Sequence, residues 1–170
     1  QISGSPESER QSVAYNLEIP LNEKIRLYSY ATYTHRTSFV AAWYRPSTSQ
    51  QNIMSVYPDG YLPTDTTEDN DFQFTSGLKG DDFFGWHWDG SVNYGRNDSS
   101  IGIQNTINNS LGPDSPHNFH LQSLANSELT ADFDIRHSFR TGLFKNPLQV
   151  AAGIEYRYQQ YEVDAGEHSA

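Results

Sequence analysis

Apolar and polar residues alternate along several stretches of this chain. The clearest is 148–161, LQVAAGIEYRYQQY, in which every second residue from Leu148 to Tyr158 is apolar or aromatic. The residues between them are small or polar and include Glu155 and Arg157. A period of two places successive side chains on opposite faces of a β-sheet. The pattern predicts a strand with one apolar and one polar face, but it does not identify what covers the apolar face.

Five other stretches alternate in the same way, so the chain is predicted to be all-β and to form one domain. The six predicted strands lie at about 12–20, 25–44, 71–79, 86–95, 128–138 and 148–163. Strands of soluble proteins usually have about 5 to 6 residues, whereas a strand that crosses a membrane needs about 9 to 11. The stretch 25–44 is long enough to cross a membrane and to project beyond it.

The connections between these strands alternate between short and long. Short turns are predicted at 21–24, 80–85 and 139–147, and long polar loops at 45–70 and 101–127. Up-and-down strands then carry all short turns at one end and all long loops at the other. Outer-membrane barrels have short periplasmic turns and long outward loops. The pattern predicts antiparallel up-and-down strands that form a six-stranded segment of a transmembrane β-barrel, and the chain is expected to be part of a longer one.

Composition narrows the classes of protein. Hydrophobic residues make up only 35% of the chain and aromatic residues 14%, a balance that suits strands and the aromatic girdles of membrane barrels. The net charge of -10 argues against nucleic acid as a partner, which needs clustered Lys and Arg. No run of about 18 apolar residues predicts a transmembrane helix. The absence of cysteine excludes disulfides and cysteine metal sites.

Four motifs occur in the order typical of one family of membrane proteins. They are VYPDGYLP at 56–63, GWHWDGSVNYGRN at 85–97, NNSLGPDSP at 108–116 and GIEYRYQQYEVDAGE at 153–167. Together they resemble the barrel of TonB-dependent receptors over roughly residues 10 to 168. Tyr61 stands where the family often has phenylalanine.

This resemblance implies a Gram-negative outer-membrane barrel of about 22 strands closed by a plug. Such receptors import a scarce nutrient, such as an iron-siderophore, cobalamin or a glycan, with energy delivered by TonB. The implied partners are outer-membrane lipid, a small-molecule ligand, and the TonB complex through a plug that this sequence does not include. The segment is expected to be unable to transport by itself. Residues Leu148 to Ile154 of the apolar series are then expected to face lipid, and Tyr156 and Tyr158 the outer interface.

Catalytic and metal sites are not predicted. The sequence has no nucleophile-elbow, P-loop or dinucleotide motif, so an enzyme and a cofactor are not expected. His117 and His120 lie in a Pro- and Asn-rich loop without the ligand arrangement of a zinc site. The acidic stretch 65–71 lacks the ligand order of a calcium-binding EF-hand. These residues are predicted to be solvated.

The remaining candidate site residues lie on or near the polar faces of the predicted strands. Opposite charges are expected to form ladders among Arg26, Arg136, Arg157, Glu18, Asp132, Asp134 and Glu155. Ligand contact is predicted only for inward residues near the long loops, namely Tyr44, Arg45 and Asn93.

Two other classes of protein stay open. A soluble β-rich carbohydrate-binding module would use the aromatic residues as a stacking platform, and it predicts a second sheet over the apolar face. A barrel enzyme, such as an outer-membrane phospholipase or protease, would need a Ser/His or Asp/His motif that the sequence does not contain.

Overall fold

The computed structural model describes residues 6–170, apart from the side chain of Asp82. Its elements are β1 (Glu7–Pro20), β2 (Ile25–Ala41), β3 (Thr64–Phe83), β4 (Trp86–Gln104), a short 3-10 helix (Asn109–Asp114), β5 (Phe119–Phe139) and β6 (Leu148–Ala165). The strands form one sheet in chain order, each antiparallel to its neighbours. The prediction of six up-and-down antiparallel strands is confirmed. The described residues contain no helix that is long and apolar enough to span a membrane.

Several strand ends differ from the predicted ones. Three strands begin earlier than predicted: β1 at Glu7 instead of 12, β3 at Thr64 instead of 71, and β5 at Phe119 instead of 128. Three end later: β3 at Phe83 instead of 79, β4 at Gln104 instead of 95, and β6 at Ala165 instead of 163. Only β2 ends earlier in this comparison, at Ala41 instead of 44. Most of the added residues are polar on both faces, so the sequence shows no clear alternation there. Strand pairing continues because neighbouring backbones satisfy each other's N–H and C=O groups whatever the side chains.

The connections keep the alternation of short and long. The short ones are 21–24, 84–85 and 140–147, and the long ones are 42–63 and 105–118. Both long loops are shorter than predicted because β3, β4 and β5 extend into them. In the 84–85 turn, Phe84 and Gly85 have positive φ angles of 53° and 82°. Two positive φ angles are characteristic of a type I′ hairpin turn, whose twist matches that of the flanking strands.

Strand pairing brings the apolar series of all six strands onto one face of the sheet. Two neighbouring rows across the six strands consist of Tyr15, Ala31, Phe74, Tyr94, Leu129 and Tyr158, and of Leu17, Ser29, Ser76, Val92, Ala131 and Tyr156. A third row contains Ile19, Leu27, Leu78, Gly90, Phe133 and Ile154. We call the side of the sheet that carries these rows the apolar face.

The apolar face is open to its surroundings. Ile154 is 72% exposed, Val13 66% and Tyr156 62%. The described residues include no large side chain that is fully buried. The sheet therefore has no core of its own on this face.

The opposite side, the polar face, is joined by hydrogen bonds between strands. The Tyr28 hydroxyl donates to Asp89 Oδ1 at 2.6 Å, and Lys79 Nζ donates to Glu18 Oε2 at 2.8 Å. Further pairs on this face are Thr75 with Asn93 at 2.7 Å, Asn97 with Asp71 at 2.6 Å and Ser12 with Thr34 at 2.9 Å. These contacts join adjacent strands and also strands two apart, namely β2 with β4 and β1 with β3.

The expected charge ladder forms in part. Arg26 pairs with Glu18 at 3.5 Å, and Arg157 pairs with Glu155 at 3.0 Å and Glu128 at 3.9 Å. Within the described part of the chain, the ion pairs do not include Arg136, Asp132 or Asp134.

Aromatic rings cover glycines of the neighbouring strand at two places. A Cβ atom added to Gly77 would lie 2.5 Å from the ring of Tyr28, and one added to Gly80 would overlap the indole of Trp88. Such aromatic–glycine pairs fix strand register, because the ring fills the space that the glycine leaves. By contrast, a Cβ at Gly95 would meet its nearest neighbour, the Phe72 carbonyl oxygen, only at 3.8 Å.

We expect Gly77→Ala to destabilise the sheet by about 1–3 kcal/mol, the usual cost of inserting a methyl group into an occupied site. Denaturant unfolding followed by tryptophan fluorescence measures the change. Gly95→Ala is the matched control and should have a smaller effect. Equal effects of the two substitutions would contradict the proposed Tyr28–Gly77 contact.

Candidate functional site

The buried apolar residues lie at the long-loop end of the sheet. Tyr61 is 5% exposed, Phe119 6% and Ile107 9%. They belong to a group of segments that we call the loop cluster, which consists of 42–63, 105–118 and 166–170 together with Phe119 at the start of β5. The loop cluster adds a second layer to one end of an otherwise single-layered sheet.

A tight turn organises the first loop. Gly60 N donates to Tyr57 O at 3.1 Å, which closes a four-residue turn with Pro58 at its second position, where proline is favoured. Gly60 has a φ of +86°, and a Cβ there would overlap the Arg45 carbonyl oxygen. Beyond the turn, Arg45 and Tyr61 exchange backbone hydrogen bonds of 2.7 and 2.8 Å. The YPDGY sequence therefore folds the loop back on itself and buries Tyr61.

The second loop is closed by its own polar side chains. Asn108 Oδ1 caps the 3-10 helix by accepting from Ser110 N at 3.0 Å. Ser115 Oγ accepts from Asn108 N at 2.8 Å. Gly112 has a φ of 67°, a conformation that glycine adopts without strain. These interactions explain locally why NNSLGPDS forms a compact turn.

A bulge brings Phe119 into the loop cluster. Gln122 pairs with Ile101, but His120 pairs with Gly102, so β5 contains one extra residue at this point. If the register continued without the bulge, Phe119 would lie opposite Gln104 and share the apolar face with Leu129. With it, Phe119 lies opposite Ile103 on the polar-face side.

Tyr57 connects the two loops. Its ring stacks on Tyr61 with centroids 4.6 Å apart, and its hydroxyl lies 2.7 Å from His117 Nδ1. The side chain of Asn109 donates to Gln50 O at 2.8 Å. Asn105 donates to Leu62 O at 2.8 Å, and Asn108 to Ser169 O at 3.0 Å. The loops and the 166–170 segment therefore form one packed unit.

The surroundings of the Tyr57 hydroxyl also change its pKa. Partial burial raises the pKa of Tyr57, and the neighbouring Tyr61 raises it further. Phenolate is the charged form of tyrosine, so a partly desolvated site disfavours it. Tyr57 is held neutral in this environment.

A pocket of about 610 Å³ lies within the loop cluster. Its apolar lining includes Tyr61, Ile103, Ile107 and Phe119, and its polar lining includes Arg45, Gln51, Asp65, Asn108 and Asn109. Small-molecule sites typically enclose about 300–1,000 Å³, with mainly apolar walls and a few polar groups. The pocket has the size and chemistry of such a site.

The structure separates the three predicted ligand residues. Arg45 lines the pocket. Tyr44 lies outside the lining, and its hydroxyl donates to the Asp59 carbonyl oxygen. Asn93 lies ten residues before Ile103 in β4, or about 33 Å away along the strand. Arg45 and Asn93 therefore do not belong to the same pocket, and ligand contact by any of the three stays a prediction.

Sequence reasoning missed the residues that shape the pocket. Asp65 is exposed, as predicted for the acidic stretch, but it lies in β3 instead of a loop and lines the pocket. Phe119 and Ile107 lay within a predicted polar loop. The signal that could have indicated this site was the isolated apolar residues within two otherwise polar stretches.

A larger cavity of about 780 Å³ lies at the short-turn end of the sheet. Among its lining side chains, His87 and Asp81 bond each other at 2.6 Å. Lys79 is bonded to Glu18. Because these charged side chains already bond to one another, fewer of the polar groups that line the cavity can bind a ligand.

The predicted loop histidines have separate partners. His117 contacts Tyr57, while His120 Nε2 lies 3.1 Å from Ser123 Oγ. Within the described residues there is no group of three or more His, Asp or Glu side chains that could hold a metal ion.

Comparison with models of known protein families and with curated proteins found no match to this chain. The likeness to TonB-dependent receptors therefore rests on the four sequence motifs.

We expect Tyr57→Ala to loosen both long loops together, because it removes the stack on Tyr61 and the bond to His117. Hydrogen exchange measured by mass spectrometry should show faster exchange in 42–63 and 105–118, with no change in the strands near residue 154. Tyr57→Phe keeps the ring and should have a smaller effect. Faster exchange in the first loop alone would contradict a single packed unit.

The raised pKa of Tyr57 predicts a dependence on alkaline pH. Its stabilising contribution is present below the pKa of an unfolded tyrosine, about 10, and is lost as the pH rises through the higher folded value. Ultraviolet absorbance of the ionised phenol, compared between the unchanged chain and Tyr57→Phe, isolates this group. A midpoint for Tyr57 at or below that of a free tyrosine would show that the hydroxyl is not desolvated.

Proposed function

We propose that this chain is a barrel segment of a TonB-dependent outer-membrane receptor that imports a small-molecule nutrient, such as an iron-siderophore, cobalamin or a glycan. The observation that carries the proposal is the exposed apolar face. Six paired strands align their apolar residues in one band, while the opposite face is polar and internally hydrogen-bonded.

The height of the apolar band supports lipid as its surroundings. On β6 the band runs from Leu148 to Tyr158, ten residues apart, which corresponds to about 33 Å along the strand. A strand tilt of about 35–45° reduces this to about 23–27 Å across a membrane, close to the apolar band of about 25 Å in outer-membrane barrels.

Aromatic residues border the band at both ends, as expected of interfacial girdles. At the short-turn end the apolar-face series contains Phe83, Trp86, Trp88 and Phe139, and at the loop end it contains Tyr33, Phe72, Tyr94 and Tyr158. Beyond the loop-end girdle the same face becomes acidic, with Glu9 and Glu68 in a row that ends at Asp164. This order fits lipid, then interface, then water.

The polar face is suited to a water-filled lumen. In this proposal the loop cluster lies at the outer end of that lumen, where its pocket can contact an arriving ligand. The plug would block the lumen and rearrange when TonB pulls on it. The ladder of Glu18, Arg26 and Lys79 links β1, β2 and β3 in the wall of that lumen.

A substitution that reverses the preferred surroundings of the apolar face tests this proposal. Ile154→Arg, made in the natural reading frame, is expected to destabilise the folded protein in the outer membrane by about 2–4 kcal/mol, the cost of arginine at the lipid midplane. The yield of folded protein in purified outer membranes measures the effect.

Ala14→Arg is the matched control, because Ala14 is also an exposed strand residue but belongs to the polar face, where it lies opposite the uncharged Thr32. It should leave the yield nearly unchanged. In a soluble protein, a charged residue at a position that is 72% exposed would change stability by less than about 0.5 kcal/mol. Equal yields of the two variants, or a protein found only in the soluble fraction, would refute the membrane proposal.

A further inference from the structure

The pocket of the loop cluster contains one positive and one negative side chain that do not pair with each other. Arg45 and Asp65 both line it. Among residues 6–170, the ion pairs include neither of them, and the side-chain hydrogen bonds do not use them. Two opposite charges on one pocket wall are available to a ligand.

The strand geometry sets the distance between these charges. Tyr61 lies opposite Arg45, and Asp65 follows Tyr61 by four residues in the same extended direction. At about 3.3 Å per residue the two Cα atoms lie about 14 Å apart. Both side chains line the same pocket, so we take the separation of their charged groups as about that of the Cα atoms, roughly 14 Å.

The wall between the two charges is largely apolar. Tyr61 and Pro63 are buried and lie on the segment that leads from the partner of Arg45 to Asp65. Ile103 lies opposite Asp65 and Phe119 opposite Ile103, so these two side chains and Ile107 extend the apolar lining beside Asp65. Thr106 and Asn108 supply polar groups at the rim. A ligand that fits this wall has charged ends and an apolar middle.

We propose that the pocket binds a linear zwitterion of the size of a tripeptide. Three extended residues span about 10–11 Å, within the separation of the two charges. The ligand carboxylate accepts hydrogen bonds from the Arg45 guanidinium, and its ammonium group donates to the Asp65 carboxylate. Apolar side chains of the ligand contact Ile107 and Phe119.

The charges in the pocket favour a zwitterion over a strongly anionic ligand. The chain has a net charge of -10, and Arg45 is the cation of a pocket that also contains Asp65. A ligand with several negative charges would place some of them beside Asp65 without a counter-charge, which is unfavourable at short range. A zwitterion satisfies both groups.

The inference rests on the proposed function, because it names the class of ligand that the receptor segment would capture. Its test is direct binding to the full natural protein in detergent, measured by calorimetry with an unbranched tripeptide of apolar residues. The same tripeptide with an amidated C-terminus, and with an acetylated N-terminus, removes one charge at a time. Each modification is expected to weaken binding about three- to tenfold, as for a partly exposed charge pair.

The variants assign each end of the ligand. Arg45→Gln should bind the free and the amidated tripeptide equally, and Asp65→Asn should bind the free and the acetylated tripeptide equally. Arg10→Gln and Asp114→Asn change the net charge by the same amounts outside the pocket lining, and they should keep the full discrimination.

The outcomes separate this inference from the proposed function. Absence of binding, or binding that is insensitive to both terminal modifications, would overturn the zwitterion site even if Ile154→Arg confirms the membrane location. Binding with the expected discrimination by a protein that fails the Ile154→Arg test would support the site and refute the receptor. Loss of discrimination in Arg10→Gln would show that the effect is long-range charge rather than contact.

Discussion

The register of the antiparallel backbone ladder is the constraint on which the rest of this structure depends. Because side chains alternate with a period of two, a slip of one residue would move every apolar side chain of a strand to the other face. Tyr94 lies opposite Phe74 on one side and Leu129 on the other. Correct register at both borders of β4 is therefore what joins six separate alternating stretches into one continuous apolar face.

The two described register shifts lie near opposite ends of the strands, and each changes the face of the sheet on which an aromatic residue lies. The shift after Gly80 places Phe83 opposite Trp86 and extends the aromatic border of the apolar face. The shift near Gly102 turns Phe119 toward the loop cluster. Between these ends the register is continuous, which keeps the apolar band uniform. Bulges here adjust the ends of the sheet without disturbing its middle.

Sequence patterns were most informative where side-chain burial or exposure differs between the faces. The alternation from Leu148 to Tyr158 predicted β6 closely, but the polar start of β3 near Thr64 gave no comparable signal. The pairing of Thr64 with Ala41 and Gln104 depends on backbone groups, which every residue except proline supplies equally. Of the predicted site residues, Arg45 lines the pocket of the loop cluster. Asn93 is far from that pocket because β4 continues to Gln104, well beyond its predicted end at 95.

The sequence by itself determined the features that depend on neighbouring residues: the two-faced strands, the alternation of short and long connections, and the turn at Tyr57 to Gly60. Tertiary structure alone decided the bulge that redirects Phe119 and the meeting of Arg45 with Asp65 in one pocket. The physical reason is the distance along the chain over which each interaction acts. Local patterns follow from backbone geometry over a few residues, but register and pocket shape follow from hydrogen bonds and packing between segments that are distant in the chain, such as Tyr57 and His117.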